Sequence, residues 1–191
     1  SITTICLIPT HGEWIGSLSG VMKPSNIDVL KNRLYVMDSD TIRIFSIPDL
    51  KLIKIFGKQG EGPGEYRITT TSRLRIKALN DYLLLESDDK IIFYSLDGEY
   101  QREKRKNPFI NFITPIKDKF VARRIFINNG QESTSMVGLY DKDFNLLKEL
   151  YRHRFLQQGQ APGATLDMGQ DFLNFRLWKN KIYIDKSPDG F

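Results

Sequence analysis

The sequence contains a single cysteine, Cys6, and only two histidines, His11 and His153. A lone thiol closes no internal disulfide, and one thiolate with two imidazoles falls short of the four ligands of a structural zinc centre. Disulfide-stapled and zinc-built folds are therefore excluded. Long apolar runs are missing too: the longest, such as Ile2 to Pro9, are far shorter than the ~20 residues of a membrane-crossing helix. Charge of one sign is also scarce. Lysine and arginine number 28 against 23 aspartates and glutamates, a formal net charge of +5, and only Arg102 to Lys106 concentrates basic residues. A nucleic-acid surface needs cations converging from several elements, interleaved with exposed aromatics, so nucleic acid is not an expected partner. The run reads instead as a solvated outer strand whose cations discourage edge pairing.

What is present points to repetition. The 191 residues, 40% hydrophobic and 27% charged, can bury a core and form one domain or part of a larger one. Asn32 to Asp40 lines up with Asn80 to Asp88 at an offset of 48; Lys31 to Val36 returns as Lys179 to Ile184 at 148; Gln59 to Gly64 returns as Gln158 to Gly163 at 99. One unit of about 49 residues accounts for all three, and propeller blades run to ~40 to 50 residues. Within a unit, β-branched and aromatic runs alternate with turns: Arg33 to Asp38, Thr41 to Ser46 and Lys51 to Phe56, then Tyr82 to Glu86, Lys90 to Leu96 and Tyr100 to Lys104. Asp97-Gly98 between two such runs is a hairpin signal. The third unit is looser, with Lys119 to Ile127, Ser135 to Tyr140 and Asn145 to Tyr151. Leu34 to Met37 and Leu83 to Leu85 are apolar on both faces, which requires cover on both sides. Blades clasped between neighbours satisfy that requirement.

The expected fold is thus all-β, with propeller blades of four antiparallel strands. Residues 1–191 form a single incomplete propeller domain. Residues 1–18 are a leading strand and entry, 19–57, 66–106 and 109–152 are blades, and 172–191 begin a further one, about three and a half blades in all.

The run from Ile55 to Tyr66, Ile-Phe-Gly-Lys-Gln-Gly-Glu-Gly-Pro-Gly-Glu-Tyr, resembles the inter-blade signature of bacterial six-bladed β-propellers of the TolB-like, NHL-related group. The opening Ile5 to Pro9 followed by Trp14 to Ser17 is similar to that group's usual start. The resemblance implies a periplasmic or cell-surface protein of a Gram-negative bacterium, often a lipoprotein, with a lipid anchor upstream of Ser1. It also implies six blades, roughly 270 to 300 residues at propeller repeat lengths, so the chain is expected to be part of a longer ring.

Candidate chemistry is thin. The glycine-rich loop departs from a phosphate-binding P-loop, because Lys58 precedes the glycines and Glu61 and Glu65 repel anions. Gly57, Gly60, Gly62 and Gly64 instead allow positive φ, with Pro63 fixing the turn. Gly16 to Gly20 misplaces its serines for a nucleophile elbow. Asp38, Asp40, Asp88 and Asp89 are hard-oxygen calcium candidates, but recurrence at one blade position favours a turn role. Cys6 reads as a buried hydrophobe, and Trp14 and Trp178 as packing residues. No metal or cofactor is expected. Tyr66, Arg67, Arg73, Arg123, Arg124 and Arg176 either face the central channel, where they could meet an anionic or sugar ligand, or are surface charges. The expected function is a non-catalytic extracytoplasmic module binding a glycan, peptide or protein. The alternatives are a propeller hydrolase or lyase with catalytic groups partly in other blades, and a pure scaffold.

Overall fold

Short β-branched and aromatic runs broken every few residues by Asp, Ser, Asn or Gly favour strands and tight turns over helix. The computed structural model describes residues 16–68, 74–127, 132–156, 172–178 and 181–187, and among them there is no helix. The first sheet is β1 (Pro24–Leu30), β2 (Arg33–Asp38), β3 (Thr41–Ser46) and β4 (Leu52–Phe56), each antiparallel to the next. The crossover that follows holds a short parallel pair, β5 (Lys58–Gln59) and β6 (Glu65–Tyr66). The second sheet is β7 (Arg75–Ala78), β8 (Leu83–Glu86), β9 (Lys90–Tyr94) and β10 (Tyr100–Arg105). The third is β11 (Ile110–Ile116), β12 (Lys119–Ile127), β13 (Glu132–Tyr140) and β14 (Leu146–Leu156), followed by the pair β15 (Phe172–Trp178) and β16 (Lys181–Ser187). Four-stranded antiparallel meanders in succession are propeller blades. The chain divides into two units, Ser1–Asn107 with the first two blades and Pro108–Phe191 with the rest.

Burial follows the two-sided apolar strands. Tyr35, Met37, Ile42 and Ile44 of the first blade pack with Ile76, Leu83, Leu85, Ile92 and Tyr94 of the second. Leu34, Val36 and Phe45 turn to the opposite face, against Leu18 and Val21. In the other unit Val121 and Val137 pack with Ile182 and Ile184 of β16. Each such side chain contributes about 1.5–3 kcal/mol, against at most about 1 kcal/mol for an exposed ion pair. Within each unit, blade faces and not surface charges supply the cohesion.

The register corrects the repeat arithmetic. Leu34, Leu83, Phe120 and Ile182 each stand second in the second strand of their sheet or just after its entry turn, so successive blades are 49, 37 and 62 residues apart. The overall offset of 148 holds, but the offset of 48 is one residue short. It would set Tyr35 against Leu83, whereas Leu83 corresponds to Leu34. A one-residue slip exchanges the faces of a strand. The even spacing is an average: the link from β10 to β11 is short, and residues 157–171 restore the mean.

The first strands of blades one and two are joined by side chains. Asn26 Oδ1 accepts the Ile76 N–H at 2.7 Å, and Asp28 Oδ2 accepts the Ala78 N–H at 2.7 Å. Both pairs are 50 residues apart. Two acceptors alternating on one strand match two amides alternating on the free edge of the next. The basic run is less uniform than its composition suggests. Arg102 stacks over the Phe93 ring at 4.1 Å on outermost β10, while Lys106 is buried, with Nζ on the Asp88 carbonyl at 2.8 Å.

Candidate functional site

Strand alternation puts each crossover and each turn between second and third strands at one end of a blade, and that end gathers several residues singled out above. Tyr66 is fully buried, and its O–H donates to the Asp40 carbonyl at 2.7 Å. Burial pushes the Tyr66 and Tyr94 hydroxyls up, so both remain donors at neutral pH. Tyr94 donates to the Gly64 carbonyl at 2.6 Å. Lys90, also buried, reaches the Gly62 carbonyl and the Glu103 carboxylate at 3.2 Å each, and Glu103 accepts the Gly64 N–H at 2.9 Å. Gly57 at φ 85° leaves room for the Tyr66 hydroxyl, which a Cβ would meet at 2.6 Å. Gly62, expected to share this left-handed backbone, does not. Its N–H is held at 3.0 Å by Glu65, whose other oxygen pairs with Lys58 at 2.9 Å. Glu65 and Glu103 thus occupy amides that a phosphate would need. Arg67 lies on the surface, paired with exposed Glu61.

The aspartates of the second-to-third strand turns are structural acceptors. Asp38 is buried and accepts the N–H groups of Met22 at 3.0 Å and Lys23 at 2.6 Å, while Arg43 Nε donates to its second oxygen at 2.9 Å. Burial works to raise this carboxyl, but those two amides and Arg43 hold it below the ordinary range. Its partners lie 15 and 16 residues upstream, so it ties the entry segment to the blade, a longer reach than the expected local turn. Asp88 and Asp89 offer backbone carbonyls to Lys106, as Nζ and N–H acceptors respectively. Burial pulls the Lys106 amine down, opposed by Glu86, Asp88 and Asp89. Among the described residues no three metal-binding side chains cluster.

Blade three places Arg123 and Arg124 on opposite faces, because successive strand residues alternate. Arg123 is 6% exposed; its Nε donates to Asn111 Oδ1 at 2.9 Å and its guanidinium lies 4.0 Å from the centre of the Phe112 ring. Phe112 takes φ 58°, where the β11 register shifts between Asn111 and Thr114. A left-handed aromatic inside a strand is strained backbone held by its surroundings. On the same face as Arg123, the hydroxyl of Ser135 is buried with no hydrogen-bond partner. Arg124 lies 4.7 Å from the centre of the Phe126 ring, with Arg152 at 5.8 Å. Arg176 sits on β15 opposite Tyr183. Arg73, Cys6, His11, Trp14, the leading strand Ile2 to Pro9 and the second glycine loop from Gln158 to Gly163 lie outside the described residues. Within blade three the neighbouring candidates Arg123 and Arg124 are thus not brought together. Sequence reasoning missed Asn111, Phe112, Asn26 and Asp28, since bulges and inter-strand acceptors leave no motif.

Successive four-stranded antiparallel blades, the first two joined through their first strands, define a β-propeller. Residues 19–187 match the family DUF5128, described as a 6-bladed beta-propeller, and the chain belongs to that family. It is similar to the solved structure of a candidate exported protein from Bacteroides fragilis NCTC 9343, with 17% identity and a TM-score of 0.60 over 98% of this chain and 55% of that one. BamB from Moraxella catarrhalis is similar at 15% identity and a TM-score of 0.48, over 86% of this chain and 40% of that one. The chain thus spans about half the length of the first of these, and identities so low speak to the fold alone. No curated protein is similar at a significant level.

Proposed function

We propose that the chain belongs to a non-catalytic, extracytoplasmic binding propeller, related to the TolB-like and NHL group, that takes a glycan, peptide or protein partner. The observation that carries this reading is the first strand of blade three, where a bulged, left-handed Phe112 and Asn111 hold the buried guanidinium of Arg123. First strands are innermost in propellers, and strained, preorganised groups cluster at ligand clamps. The fold shared with the candidate exported protein of Bacteroides fragilis supports export, and the reading is of a protein in the periplasm or at the cell surface of a Gram-negative bacterium. Cell fractionation in the source organism tests that placement: recovery in the cytosolic fraction alone would refute it.

The binding reading is tested by screening the 191-residue chain against glycan and peptide arrays, beside Asn111→Ala, Arg67→Ala and Arg124→Ala. Reproducible binding that weakens at least ~10-fold in one variant with an unchanged melting curve, a loss of about 1.4 kcal/mol, supports it. Equal binding by wild type and all three variants removes these residues from the site.

A further inference from the structure

Outside the bulged inner strand, the described part of blade three carries a cationic face with few acidic partners. Arg124, Met136 and Arg152 are register partners across β12, β13 and β14, and Phe126, Thr134 and Arg154 form the next row. The side chains of Arg124, Arg152, Arg154 and Phe126 therefore share one face. Opposed strands lie about 4.8 Å apart and alternate residues about 6.8 Å along a strand, so the three arginines form a triangle with sides on the order of 7–12 Å. Phe126 is the anchor, with the guanidinia of Arg124 and Arg152 at 4.7 and 5.8 Å from its ring centre. Arg152 Nη2 also contacts Met136 Sδ at 3.8 Å. Glu149 pairs with Arg152 at 2.5 Å; among the described residues no carboxylate lies within ion-pair distance of Arg124 or Arg154. Among the described side chains of these rows, three guanidinia thus stand beside one carboxylate, which pairs with Arg152. Arg152 and Arg154 are exposed and Arg124 partly so.

We infer that this face binds an acidic polysaccharide, one bearing uronate or sulfate groups, which gives the binding-module reading above its ligand class and rests on that reading. Guanidinium forks match carboxylate and sulfate oxygens in a bidentate manner. A strand-like acidic peptide fits less well, because β14 is broken by two register shifts, between Val137 and Gly138 and between Leu139 and Tyr140 on its partner, and a bulged edge is a poor template for ladder pairing. Single-stranded nucleic acid is disfavoured because bases need an open aromatic platform, and Phe126 is flanked by arginines.

Calorimetric titration of the 191-residue chain decides the matter, using polygalacturonate, a sulfated glycan, a neutral glucan and an oligonucleotide of matched charge at low and high salt. The expected result is binding of polygalacturonate or the sulfated glycan, weakened at least ~10-fold by Arg154→Ala and by Arg152→Gln, with weak binding of the other two polymers. Arg154 is exposed, so its loss leaves the fold intact, and circular dichroism melts confirm this for each variant. Equal affinity for the oligonucleotide, or undiminished glycan binding by the Arg124→Ala/Arg152→Gln/Arg154→Ala triple variant, would overturn the inference. Binding of the neutral glucan alone, or of an array peptide alone, would overturn the acidic-glycan inference while leaving the binding-module reading standing; no binding to any polymer or array would sink both.

Discussion

Asp38 concentrates stabilisation in one polar side chain, because three donors converge on a carboxylate that is 3% exposed. Its carboxyl is held below the ordinary range in the fold. A depressed carboxyl contributes stability that is present above its unfolded value, near pH ~3.9, and is lost as pH falls through the lower folded value. Asp38→Asn should therefore cost about 2–3 kcal/mol at neutral pH. Urea melts of wild type and variant should converge as pH drops below ~4; a gap that stays constant would remove the charge from the account. Gly57 supplies a second residue-scale test. Gly57→Ala places a methyl at 2.6 Å from the Tyr66 hydroxyl on a backbone at φ 85°, a cost of about 2 kcal/mol. Tyr66→Phe alone should cost about 1 kcal/mol, and the double variant less than both together, because the clash leaves with the hydroxyl. Strict additivity in denaturant melts would contradict the geometry. The sequence pointed to Gly57 as a special backbone position, but it could not reveal that the Tyr66 side chain is what fills the space there.

At the scale of elements, β1 and β7 are held by Asn26 and Asp28, which accept the amides of Ile76 and Ala78. Asn26→Ala or Asp28→Ala leaves one of those N–H groups without its acceptor, a penalty of about 1–3 kcal/mol. Hydrogen exchange should accelerate at Ile76 in the first variant and at Ala78 in the second; faster exchange spread evenly along β7 would instead mean general loosening. Strand positions were readable from β-branched runs and turn residues, as Arg33 to Asp38 and Lys119 to Ile127 illustrate. Register was not. The repeat Asn32 to Asp40 against Asn80 to Asp88 slipped by one because Asn80 and Asp81 both suit the turn before Tyr82, and only the packing of Leu83 and Leu85 with Tyr35 and Met37 fixes which residue faces which neighbour. The bulge at Phe112 was equally hidden: nothing in Ile-Asn-Phe-Ile-Thr announces a left-handed residue.

For the molecule as a whole, the propeller was legible because a blade needs apolar strands covered on both faces, and Leu34 to Met37 carry that demand in consecutive letters. The proposed ligand face was far less so, since arginines spaced along a sequence say nothing of which sheet face they share; Arg123 and Arg124 are adjacent and diverge. Charge is balanced along the chain, and the ion pairs Arg33 with Asp97, Lys54 with Glu99 and Arg67 with Glu61 each include a largely exposed carboxylate. Raising sodium chloride from ~0.05 to ~0.5 M should accordingly move the melting temperature by no more than about 2 °C; a larger fall would give surface charge a weight it is not assigned. The stitch between the first two blades also limits how such a ring can be rearranged. Forty-nine residues after Asn26 and Asp28 stand Arg75 and Lys77, donors where the earlier pair are acceptors. A tandem duplicate of blade two would offer cations to the amides of its own copy, so these modules are keyed to their neighbours and cannot be shuffled like interchangeable tiles.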